Sequence, residues 1–202
     1  MMKVYNFNAI KWKFFKLEYN IKINYIHFMK LKIDSIFLTN INGYETSLHD
    51  ILTDKPAVIV LLRHFGWLFC KEQAVQLNSI NQEIVDRNLQ LIFVGSGTYH
   101  QAKYFQDDYK ISAPVFSDAN LVLYQALGAK KSIISSMSPQ VIVAGIRAFF
   151  KGYVQTKIQG DYLQQGGAAL VMQNGDIPFI KLSKFAGDHI RPEELLLAIK
   201  KY

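Results

Sequence analysis

Val58–Leu77, VIVLLRHFGWLFCKEQAVQL, joins an apolar run, a short turn and a helical pattern end to end. Ala57–Leu62 has the length and branched content of a strand buried on both faces. Ala74, Leu77, Ile80, Ile84 and Val85 then recur at helical spacing, which predicts a helix opening at Cys70 and ending near Asn88. Cys70 is thereby placed in a first helical turn, where unpaired backbone N–H groups and the helix dipole favour a thiolate. Arg63, His64 and Lys71 add positive potential around it. A strand that delivers a cysteine to a helix start is a redox arrangement.

Working outward, the 202-residue chain is half hydrophobic and 19% charged, enough for one well-filled core. Its formal charge of +7 is uneven: five lysines against Glu18 give residues 1–28 a net +4 and leave +3 for the remainder. No basic stripe with interleaved stacking aromatics is present, so nucleic acid is not an expected partner. Cys70 is the single cysteine, which excludes an intramolecular disulfide and fits a reducing cytosol. The most apolar long stretch, Ile133–Phe150, is interrupted by Ser135, Ser136, Ser138, Pro139, Gln140 and Arg147, so no membrane span is expected.

Residues 1–28 lack Gly, Pro and a clean period, and they fit neither a secretory signal nor a mitochondrial presequence. They are read as an N-terminal extension, disordered or foreign to the native chain, with Met29 a natural start for one domain over 29–202. Asn42-Gly43 marks a hairpin between Ile36–Thr39 and Tyr44–Thr46, and Ser47 can cap a short helix over Leu48–Leu52. Leu89–Val94 reads as a second buried strand, and Thr98 with Gln101 forms a capping box for a helix to about Tyr109. Pro114-Val115-Phe116 makes a short strand, Asp118 can cap Ala119–Leu127, and Gly128 stops that helix. A helix from Ser138-Pro139 to Phe150 and a surface loop over Tyr153–Gly167 follow. Ala168–Met172 and Ile177–Leu182 flank Asn174-Gly175, predicting a hairpin with a type I′ turn whose Pro178 pushes its strand toward an edge. Pro192 starts the last helix. This order predicts an α/β fold with a mixed central sheet and helices on both sides, a three-layer α/β/α arrangement.

Several stretches together resemble the peroxiredoxin-like branch of the thioredoxin fold, in the alkyl hydroperoxide reductase and thiol-specific antioxidant (AhpC/TSA) superfamily. Arg63 to Gln73 is similar to that branch's R-x-F-G-C-x-x-C-R-E-Q segment, with Trp67 at the first cysteine position. Val94-Gly95-Ser96-Gly97-Thr98, Phe116-Ser117-Asp118, Leu123 to Gly128, Gln164-Gln165-Gly166-Gly167 and Ala186-Gly187-Asp188-His189 follow in the family's order. The resemblance runs from about residue 30 to about residue 200, the size of one domain. It implies a thioredoxin-like fold and an antioxidant thiol oxidoreductase. Arg63 and Trp67 stand where typical peroxiredoxins carry the Pro and Thr of P-x-x-x-T-x-x-C, so neither a second thiol nor that hydroxyl is available.

Single-cysteine chemistry is what remains. Cys70 would attack a peroxide or a disulfide and be restored by an external thiol, glutathione or a thioredoxin-like protein. Arg63 is a candidate to hold the thiolate or orient a peroxide, and His64 a candidate base. Gly66, Trp67, Leu68, Phe69 and Cys70 form the active-site motif, with Trp67 read chiefly as an apolar wall. By resemblance, Gln165, Gly166 and Gly167 frame the site. Asp188-His189 is read as a loop and cap feature before Pro192. The competing readings are a packed, inert Cys70 in a redox-inactive binding module, and a homodimer linked through Cys70. Gly95-Ser96-Gly97 lacks the rest of a phosphate-binding fingerprint, and the five histidines show no ligand spacing with Cys70, so neither cofactor nor metal is expected.

Overall fold

Every residue of the strand Ala57–Leu62 (β3) is buried, as its unbroken apolar run requires. The computed structural model describes residues 30–130, 164–184 and 188–202. The expected extension over 1–28, the helix from Ser138-Pro139, residues 153–163 of the expected loop and the Ala186-Gly187 pair lie outside the described residues.

β3 pairs in parallel with Gln90–Gly95 (β4), which pairs in parallel with Val115–Ser117 (β5). Phe37–Asn40 (β1) and Glu45–Ser47 (β2) form a hairpin that joins antiparallel to β5. Gly167–Val171 (β6) runs antiparallel to β3, and Phe179–Leu182 (β7) closes that side. The described strands make one mixed sheet in the order β2-β1-β5-β4-β3-β6-β7. Pro178 sits immediately before the edge strand β7, where its missing N–H costs the ladder nothing.

Strand alternation distributes β3 between two cores. Val58, Val60 and Leu62 pack with Leu91 and Phe93 under the helices Leu68–Asn78, Asn81–Val85, Tyr99–Asp108 and Pro192–Ala198 (α2, α3, α4 and α6). Ala57, Ile59 and Leu61 pack with Ile92 and Val94 against Leu48–Leu52 (α1) and Val122–Ala126 (α5). The result is the expected three-layer α/β/α molecule.

Local chemistry sets the ends of these elements. The Ser47 hydroxyl accepts from Asp50 N at 3.0 Å, and both arms of the Thr98–Gln101 capping box are made. Asp118 does cap a helix, but from further off than the sequence indicates. Residues 119–121 form a turn with Leu121 in the left-handed region, and the Asp118 carboxylate accepts from the N–H groups of Val122, Leu123 and Tyr124.

Three further expectations are corrected. The helix carrying Cys70 opens at Leu68, with Trp67 as an extended N-cap, so Cys70 is its third residue. That helix does not run to Asn88; it ends at Asn78, and α3 is a separate turn. Side chains compete with the helix there: Ser79 Oγ donates to Gln76 O at 2.7 Å, while Asn78 Oδ1 accepts from Ser112 N and Ala113 N. The Asn174-Gly175 hairpin is also not type I′. Gly175 alone has positive φ, its N–H bonds Met172 O, and Met172 N bonds Asp176 O, which is a type I turn followed by a glycine bulge.

Candidate active site

β3 ends at Leu62, and the five residues before α2 turn the chain so that Cys70 faces back toward the strand end. Arg63 N donates to Cys70 Sγ at 3.2 Å. The turn itself is clamped by the neighbouring strand. Ser96 Oγ donates to Arg63 O at 2.6 Å, and the buried Tyr124 hydroxyl bridges Leu62 O and Val94 O. Gly95 is required for this seating, because a Cβ there would run into the ring of the buried Phe65.

Cys70 is 3% exposed. Burial pushes its thiol pKa up, and this outweighs the pull in the other direction from the backbone N–H groups of His64 and Arg63 and the charges of Arg63 and Lys71. The sequence predicts thiolate-favouring donors at the helix start; in the structure the described N–H on sulfur at 3.2 Å comes from the strand end instead.

Arg63 is itself buried, with its guanidinium 5.2 Å over the Trp67 ring. Burial lowers its pKa, and the nearby Cys70 opposes that shift. His64 is fully buried and meets Trp67 edge to face at 5.2 Å, while Phe69 stands 6.2 Å from the same indole. Trp67 is therefore the hub of a small aromatic and cationic cluster beside the cysteine. Gly66 is buried in the turn, and Leu68 opens the helix.

A small cavity reaches Cys70. Leu61, Arg63, Phe69 and Gln73 line it from one side, and Gly166, Ser183, Asp188 and His189 from the other. Gly166 permits this approach: a Cβ would sit 2.7 Å from Leu61 O. Gln165 braces the same wall by donating to Ser183 O and accepting from Lys130 N, and Gly167 starts β6 against Lys181 and Leu182. Of the residues singled out in the sequence, the cavity brings together Cys70, Arg63, Phe69, Gly166, Asp188 and His189. Trp67 and His64 are not in its wall.

Two lining residues have no site role in the sequence analysis: Gln73, which closes the family-like segment from Arg63, and Ser183. Gln73 had a usable signal, since residues three apart on a helix share a face. Ser183 carried none, as it arrives through the β6–β7 hairpin. Among the described residues no group of three His, Cys, Asp or Glu could hold a metal ion, and no helix is long and apolar enough to cross a membrane.

Residues 76–184 match the family described as AhpC/TSA antioxidant enzyme. Cys70 lies just before that match. The chain is 27% identical to the chloroplastic thioredoxin-like protein AAED1 of Arabidopsis thaliana, over 82% of this chain and 71% of that one. It is 29% identical to peroxiredoxin-like 2C of Bos taurus, over 73% and 69%. Among solved structures, peroxidoxin BcpB of Mycobacterium tuberculosis superposes with a TM-score of 0.63 at 13% identity, covering 87% of this chain and 98% of that one. AhpC of Enterococcus faecalis gives 0.62 at 14% identity, covering 86% and 90%.

Proposed function

The chain belongs to the AhpC/TSA antioxidant enzyme family, and from that premise we propose that it is a peroxiredoxin-like thiol oxidoreductase working through Cys70 alone. The thiolate attacks the terminal oxygen of a hydroperoxide. An S–O bond forms, the O–O bond breaks, sulfur is oxidised to sulfenic acid, and the alkoxide leaves and takes up the proton that the thiol released. An external thiol then condenses with the sulfenic acid, expelling water, and a second thiol releases Cys70 as the external disulfide forms. No second cysteine exists to resolve the intermediate within the chain.

The observation that carries this reading is the Arg63 N–H on Cys70 Sγ at 3.2 Å, where a small cavity reaches the sulfur. It is a donor suited to a sulfur anion, beside a cationic side chain. The family supports the coarse assignment, and the lone cysteine supports the external reductant.

One observation favours a second reading. Cys70 is buried and its thiol pKa is raised, as for a packed cysteine in a redox-inactive interaction module. Brief low-dose hydrogen peroxide with a sulfenic-acid trap, read by intact mass beside Cys70→Ser, separates the two. A single adduct absent from the serine variant is the expected result. No adduct, with full labelling of the unfolded chain by a thiol reagent, would mean that Cys70 is merely packed and would favour the interaction module.

A further inference from the structure

Gln73 lies one helical turn beyond Cys70 on α2 and lines the same cavity. It is 5% exposed, yet its side-chain Nε2 has no hydrogen-bond partner. Buried amide N–H groups are nearly always satisfied, and an exception calls for an account. Elsewhere in the molecule Gln90, Gln106, Gln164 and Gln165 each donate their amide to a backbone carbonyl. Gln76, on the same helix, donates to Glu72. The Trp67 indole N–H also lacks an acceptor, but Trp67 does not line the cavity.

We infer that the Gln73 amide contacts substrate, donating a hydrogen bond to the hydroperoxide oxygen that becomes negative as Cys70 attacks. Helical spacing stations the donor beside the sulfur, and a donor already desolvated needs no reorganisation when charge develops on its acceptor. A side-chain amide would thus supply what Trp67, which has no hydroxyl, cannot. The inference rests on the peroxide chemistry proposed for Cys70.

The test compares the full chain with Gln73→Met and Gln73→Leu. Cys70 oxidation by hydrogen peroxide and by tert-butyl hydroperoxide is timed by sulfenic-acid trapping, and Cys70 alkylation by iodoacetamide is timed across pH. Both variants should lose on the order of 10- to 100-fold in peroxide rate, while the alkylation rate and its pH profile stay at the unsubstituted values. Equal peroxide rates in all three proteins overturn the role of Gln73 and leave the chemistry of Cys70 standing. A parallel fall in alkylation, or failure of both variants to fold, makes Gln73 a structural group and also overturns it. An unsubstituted protein that forms no adduct ends the peroxide reading and this inference with it.

Discussion

At Cys70, two physical effects oppose each other, and burial wins. The fold therefore favours the protonated thiol, and the sign of the pH dependence follows. The folded pKa lies above the ordinary cysteine value of about 8.5. This group's contribution to stability is whole below the ordinary value and is lost as pH rises through it toward the folded value. Denaturation titrations at stepwise higher pH should show the protein losing stability relative to Cys70→Ser, which does not titrate; equal curves would contradict the assignment. Thiolate absorbance, taken as the difference from Cys70→Ser, should have a midpoint above the ordinary range. Arg63→Met should move that midpoint higher still, because it removes a charge that pulls the thiol down. Peroxide reactivity at Cys70 should likewise climb with pH beyond neutrality.

Among the elements, α5 holds the site strand from the opposite face. The Tyr124 hydroxyl reaches Leu62 O and Val94 O, closing the C-terminal ends of β3 and β4 together just before the Cys70 turn. Tyr124→Phe leaves two buried carbonyls without that donor and should cost about 1–3 kcal/mol in denaturant unfolding. Gly95→Ala acts on the same junction by a different route. Its Cβ must displace the Phe65 ring, and overpacking of this kind costs about 1–3 kcal/mol. The Asp118 cap, the Thr98 box and the Pro192 start were legible in the chain because each depends on residues only a few positions apart. The early start of α2 and its break at Asn78 were not. The break is fixed partly by Ser112 and Ala113, which reach Asn78 only after the chain has crossed β4 and α4. The turn type of the 174–175 hairpin also escaped the sequence reading, since asparagine before glycine suits either turn and only the observed φ values separate them.

Across the whole molecule, β3 and β4 lie inside the described sheet with nearly every residue buried, whereas β2 and β7 are its edges. Native-state hydrogen exchange should rank β3 and β4 amides slowest, opening only with global unfolding, and those of β2 and β7 faster. Uniform exchange across the sheet would contradict this. The strand order places the cavity wall from Gly166 and Ser183 against the end of β3, far from either residue in the chain.

The fold class, the order of strands and helices, most caps and the placing of a single cysteine near a helix start were set out in the linear chain, since alternation, helical spacing and turn preferences act over a few residues. Tertiary structure alone decided the state of that cysteine. How deeply Cys70 is buried, which N–H meets its sulfur, and that Gln73, Ser183 and His189 share its cavity all depend on contacts between distant segments. A thiol's proton affinity follows its solvation and its neighbours in space, and neither is encoded by spacing along the chain.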